Sequence, residues 1–118
     1  MIRIFDFDTT SDECDYLIKN DDIELICYGM YDEEYHSKAV IINSFLASDI
    51  IKSKKKVYYS IKKESYYEYE INAKIVDLIS NKVSLGENYI FLDTKLPGDL
   101  KVGDYINFHV LRLDIAFE

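Results

Sequence analysis

From Tyr67 to Ile75 every second residue is aromatic or apolar: Tyr67, Tyr69, Ile71, Ala73 and Ile75, with Glu68, Glu70, Asn72 and Lys74 between them. Successive side chains of an extended chain point to opposite faces, so a period of two marks a strand with one buried face. A slip of one residue would turn the whole apolar set outward, which fixes the register wherever that face meets a core. Val57, Tyr59 and Ile61 share a face just upstream, and Lys62-Lys63-Glu64-Ser65 reads as a turn. Together they predict a hairpin over 57–75, and a hairpin needs further strands to bury its apolar side.

The rest of the chain supplies them. Ile2 to Asp8 reads as a first strand, Ile23, Leu25 and Cys27 as another, and Ala39 to Leu46 as a fully buried one. Residues 47–56, with Lys52, Lys54, Lys55 and Lys56, read as a charged connection. Residues 83–92 suggest a strand pair turning at Gly86-Glu87-Asn88, and Leu96-Pro97-Gly98-Asp99 is a turn because Pro presets φ and Gly tolerates positive φ. After Val102-Gly103-Asp104 the inward positions change from 106, 108 and 110 to 111, 113 and 115, which predicts a bulge near Val110–Leu111.

One segment reads differently. Thr10 and Glu13 form a capping-box pattern, and Cys14, Leu17 and Ile18 follow at i, i+3 and i+4, so a short helix is expected over 11–19. The expected fold is mainly β: one domain over 1–118, an antiparallel barrel or curled sheet of about six strands with one short N-terminal helix. Helices are too few for a βαβ arrangement.

The 118 residues suffice for one core, which at this size buries roughly two-thirds of the unfolded surface. No apolar run approaches the ~20 residues that span a bilayer. The opening residues lack a basic region followed by an apolar one, so the expected location is the cytoplasm, with no membrane contact. There Cys14 and Cys27 are expected to be reduced, small core residues. His36 and His109 are far apart and form no close pair with a cysteine, so neither a metal nor any other cofactor is expected. No nucleophile–base pair is readable and no glycine-rich loop cradles a phosphate, so catalytic residues are not assigned.

Net charge is −8, unevenly spread. Residues 1–50 carry 12 acidic and 3 basic groups, a balance of −9, whereas residues 51–75 carry 7 basic and 3 acidic, a balance of +4. Solubility accounts for some acidity, but a balance of −9 in 50 residues exceeds what solubility requires. The eleven tyrosines carry less weight, since Tyr, Ile, Lys and Asn share AT-rich codons.

Two surfaces follow from that split. Asp12, Asp15, Asp21, Asp22, Asp32, Glu33 and Glu34 accompany Tyr16, Tyr28, Tyr31 and Tyr35. Carboxylates steer a basic protein partner and tyrosines supply contact area at low entropic cost. Small inhibitors that neutralise basic enzymes, such as bacterial immunity proteins against toxins, use that recipe. The first expectation is therefore a non-catalytic, protein-binding inhibitor. The second sets Lys54, Lys55, Lys56, Lys62 and Lys63 beside Tyr58 and Tyr66, as oligonucleotide-binding barrels combine a basic groove with stacking aromatics. It ranks below the first because the overall charge opposes phosphate binding.

A third reading rests on Asp6-Phe7-Asp8-Thr9-Thr10 after Ile2-Arg3-Ile4-Phe5. This resembles the first motif of the haloacid-dehalogenase-type phosphotransferases, DxDx[TV] after a strand. The resemblance implies Asp6 as nucleophile, Asp8 as acid/base, magnesium, and a doubly wound parallel sheet. It covers five residues, and the later motifs of that family are not found.

Overall fold

A computed structural model describes residues 1–5 and 11–118. Among them are eleven strands: β1 (Ile2–Phe5), β2 (Glu13–Asn20), β3 (Ile23–Met30), β4 (Val40–Phe45), β5 (Ser48–Lys52), β6 (Tyr59–Lys62), β7 (Tyr69–Asp77), β8 (Lys82–Leu85), β9 (Asn88–Phe91), β10 (Tyr105–Val110) and β11 (Arg112–Phe117). A 3₁₀ turn at Tyr35–Ser37 is the helical element among the described residues. The strands form one open sheet in the order β1-β2-β3-β11-β4-β9-β8-β7-β10-β5, with β6 alongside β7.

The expected helix over 11–19 is a strand. Cys14, Tyr16 and Ile18 are the buried positions of its inner face, with Asp15 buried on the other, and β2 pairs antiparallel with β1 on one side and β3 on the other. The segment carries both patterns, since 14, 17 and 18 suit a helix and 14, 16 and 18 suit a strand. A helix would turn Tyr16 away from the stripe, whereas the strand buries it completely. Nine residues are also too few to hold a helix without packing. Asp21 and Asp22 make the two-residue turn into β3, with Asp21 in the left-handed region at φ 45°.

The expectation of six strands falls short because several are short or interrupted. Residues 47–56 include β5, and 40–45 form a half-exposed strand in which Ile42 and Ser44 point inward. The expected hairpin is present over a shorter span, Tyr59 pairing with Asn72 and Lys62 with Tyr69; Val57 lies outside it, Tyr67 belongs to its turn, and Val57 and Ile61 are exposed rather than inward. The β8–β9 turn is present as well, with Gly86 at φ 67°. The inward set switches phase after Val110, to Leu113 and Ile115, but Leu111, expected inward, is exposed, and the register shift of β10 lies between Asn107 and His109 rather than at Val110–Leu111. Two pairings are parallel, β11 with β3 and β4 with β9, so the sheet is mixed rather than antiparallel throughout.

The curl comes from two long, bent runs of chain. β4 passes into β5 through Leu46–Ala47, and β10 into β11 through Leu111. The runs stay paired from Val40–Phe117 to Lys52–Ile106, with one register shift between Asn107 and His109. The path β4-β9-β8-β7-β10-β5 therefore begins and ends on one stretch of chain, wrapped around Ile71, Ile75, Leu85, Ile90, Ile106 and Phe108.

The bend at 46–47 has a specific cause. The Asp93 carboxylate accepts hydrogen bonds from Ser44 Oγ at 2.6 Å and from the backbone N–H groups of Leu46 and Ala47 at 2.8 and 3.0 Å. Leu46 sits there at φ 54°. Burial acts to raise the Asp93 pKa, and the Ser44 and backbone donors outweigh it, so the carboxyl lies below its ordinary value.

β1, β2 and β3 lean on the rest through β11 and across a seam to β6 and β7. Ile26 N–H donates to the Tyr69 hydroxyl at 2.8 Å, and Ser60 Oγ donates to the Glu24 carbonyl at 3.3 Å. These side-chain bonds satisfy backbone groups on the edge of β3 that β11, paired only at Tyr28–Asp114, does not reach.

Candidate functional site

The acidic residues do not form one surface, because the β2–β3 hairpin holds them at opposite ends. Asp21 and Asp22 occupy its turn, while Asp12, Tyr31, Asp32, Glu33 and Glu34 cluster at its open end. Eight-residue strands set these groups about 24 Å apart at ~3.4 Å per residue.

Two of the expected contact residues lie inside. Asp15 is 5% exposed and accepts a 2.5 Å hydrogen bond from the Tyr67 hydroxyl. Tyr16 is fully buried; its hydroxyl donates to the Met30 carbonyl at 3.1 Å and accepts from Asp32 N–H at 2.9 Å. Neither can touch a partner. Tyr35 is half-buried against Tyr16 and Phe117. Tyr28 is half-buried between Tyr67 and the Arg112 guanidinium, which lies 4.7 Å from its ring.

At the open end, burial and exposure divide cleanly. Asp32 is a structural residue: it takes the Lys38 ammonium at 2.7 Å and Glu34 N–H at 2.9 Å, and the Lys38 bond chiefly holds its pKa below the ordinary value. The Tyr16 hydroxyl grips the same turn from beneath. On this fixed turn Asp12, Glu13, Met30, Tyr31, Glu33 and Glu34 are exposed. Tyr31 is 41% exposed and Met30 57%. A shallow cleft of about 250 Å³ beside them is lined by Met30, Tyr31, Asp32, Ile115, Ala116 and Phe117. The result is an apolar patch ringed by carboxylates, on backbone that tertiary contacts hold in place.

Met30 was not among the expected contacts. It ends β3 beside Tyr31, and its exposure follows the strand's alternation after the buried Gly29. That signal was available in the sequence once the strand was extended to residue 30.

The basic segment is likewise divided. Lys54, Lys55 and Lys56 are exposed in the connection before β6, pinned because Asn72 Nδ2 donates to the carbonyls of Lys55 and Val57 at 3.0 and 2.8 Å. Tyr58 is exposed there, with its ring 5.6 Å from that of Tyr105. Lys62 ends β6, and Lys63 and Tyr66 follow it at the other end of the strand. Lys62 is used locally, over the Tyr66 and Tyr69 rings and bonded to the Ser65 carbonyl, and Lys63 pairs with Glu70 at 3.3 Å.

On the outer face of β7 and β10, Glu68 meets His109, and Asn107 Nδ2 donates to Tyr59 and Glu70, each at 3.1 Å. The His109 bond chiefly keeps Glu68 below its ordinary pKa. Among the described residues, no three His, Cys, Asp or Glu side chains gather as a metal site. No helix among them is long and apolar enough to cross a membrane.

Asp6 and Asp8 lie outside the described residues. The doubly wound sheet that the phosphotransferase resemblance implies is absent, since the described chain is an all-β sheet. The chain matches no protein-family model, no curated protein and no solved structure.

Proposed function

We propose that this protein is a non-catalytic binding protein that captures a basic protein partner through the open end of the β2–β3 hairpin. In its most concrete form it is an inhibitor of the immunity type, neutralising a basic toxin. One observation carries the reading: Met30 and Tyr31 are exposed among Asp12, Glu13, Glu33 and Glu34, on a turn locked by Tyr16 and Asp32. Apolar and aromatic groups provide contact energy when desolvated, and the surrounding carboxylates accelerate encounter with a positive surface. A locked turn costs little entropy on binding.

The test is capture of a partner from source lysate by the wild-type protein and by a Glu33→Lys/Glu34→Lys variant. Asp32 is left intact because it holds the turn. A stoichiometric basic protein, released by high salt and lost with the variant, is the expected result. Equal capture by the variant moves the interface elsewhere.

Nucleic-acid binding is the second reading, supported by exposed Lys54–Lys56 beside exposed Tyr58. It ranks lower because Asp21, Asp22 and Glu87 line the same cleft as Lys56 and Tyr58 and would repel phosphate. It requires affinity for single strands that falls steeply with salt and depends on Lys54–Lys56.

A further inference from the structure

Three turns converge at the end of the molecule opposite Glu33 and Glu34: the Asp21–Asp22 turn, the connection between β5 and β6, and the Gly86–Glu87 turn between β8 and β9. They enclose a cleft of about 450 Å³. That volume falls in the ~300–1,000 Å³ range typical of small-ligand sites.

The lining is amphipathic and of one dominant sign. Ile23 and Leu85 are almost fully buried and form the apolar base. Val57 and Tyr58 form one wall and remain 53% and 36% exposed. Covering them with an apolar group removes that surface from water. Asp21, Asp22 and Glu87 are exposed on the other sides, against one cation, Lys56. Among the described residues these three carboxylates take part in no ion pair. Their field thus favours a positive occupant, and the Tyr58 ring adds the attraction of a π face or edge for a nearby cation.

The cleft is also held open in advance. Asn72, fully buried, ties the carbonyls on both sides of Lys56 to β7. The Tyr58 ring rests against Tyr105. The opposite wall is a two-residue hairpin turn, and the third is the tight Gly86 turn. Little ordering remains to be done when a ligand enters.

We propose that this cleft is a binding site for an organic cation: an ammonium or guanidinium group carried on an apolar body. The carboxylates of Asp22 and Glu87 take the charge, and Val57, Tyr58 and Ile23 take the body. The site is separate from the partner surface at the other end of the hairpin and stands whether or not that surface is used.

The test is a titration of ¹⁵N-labelled protein followed by amide chemical shifts, with phenethylammonium in one arm and N-acetylarginine methylamide in another. Phenethyl alcohol serves as the neutral comparator. The expected result is saturable shifts confined to residues 20–23, 56–58 and 85–87, with the alcohol weaker by about fivefold or more, the size of one cation–carboxylate or cation–π contact. Asp22→Asn/Glu87→Gln should weaken cation binding by a similar factor, and its amide spectrum reports directly whether it is folded. Glu33→Gln/Glu34→Gln should leave the titration unchanged. Tighter binding of the amine points to a free small molecule, and tighter binding of the arginine derivative to a side chain borne by a protein. The proposal is overturned if neither cation gives saturable shifts at the cleft by ~10 mM, if the alcohol binds equally well, or if shifts appear equally around Glu33 and Glu34.

Discussion

Gly29 lies against Ile115 with no room for a side chain: a Cβ at position 29 would stand 2.6 Å from the Ile115 carbonyl oxygen and 2.8 Å from its Cγ2. The contact sits beside the Tyr28–Asp114 pairing, where β3 meets β11 in parallel. It is the point at which the three N-terminal strands join the curled part of the sheet. The oxygen belongs to the backbone and cannot swing away, so a methyl group must push the strands apart.

Gly29→Ala should therefore destabilise the protein by about 1–3 kcal/mol, the usual cost of overpacking a closed interface. Urea unfolding followed by circular dichroism reads it as a lower midpoint. A midpoint equal to that of the wild type would mean that β3 and β11 separate at no cost.

Asp93 holds the bend between β4 and β5 through Ser44, Leu46 and Ala47. Asp93→Ala should cost about 1–2 kcal/mol, less than three charge-assisted bonds in isolation because the residue is exposed enough for water to replace part of them. Ser44→Ala removes one shared bond, so the two changes should be less than additive in a double-mutant cycle. Strict additivity would remove Ser44 from the latch.

Tyr67 supplies the hydroxyl that meets the buried Asp15 carboxylate. Tyr67→Phe leaves that acceptor without this donor and should cost about 1–3 kcal/mol. Adding Asp15→Leu should recover much of the loss, since removing both partners is far cheaper than stranding one. Thermal melts of the wild type, the single variant and the double variant decide it; a double variant less stable than Tyr67→Phe alone would count against this pairing as the cause.

High pH should unfold the protein through its buried tyrosines. Burial, the largest cause, raises Tyr16 and Tyr69 from the ordinary 10.0 to about 12. A group raised on folding contributes its stability fully below the unfolded pKa and loses it as pH climbs through the folded one. The loss should fall between about pH 10 and 12. Absorbance at 295 nm should show these two tyrosines ionising together with unfolding. Smooth titration of all eleven near pH 10 with the fold intact would contradict this burial.

Local chemistry made part of this structure legible. The alternation over Tyr69–Ile75, the turns at Gly86 and at Pro97–Leu100, and the phase switch after Val110 each depend on a few neighbouring residues. Such features survive translation into structure because neighbouring side chains alone decide them. The exposed part of the candidate surface, Glu33 and Glu34 beside Tyr31, was legible for the same reason: a polar run between two apolar segments.

Tertiary structure decided what the local pattern left degenerate. Residues 14–18 satisfy both a helical stripe and a strand face, and burial of Tyr16 against Tyr35 and Phe117 selects the strand. Asp15 is internal because Tyr67, 52 residues away, reaches over it. Once β2 is a strand, its hairpin with β3 parts Asp21 and Asp22 from Glu33 and Glu34, and the same fold brings Glu87 and Tyr58 to the Asp21–Asp22 end. Composition and periodicity thus determined a β protein with an acidic N-terminal half. Where those charges gather was settled by contacts between residues far apart in the chain, whose energies depend on a packing that no local window contains.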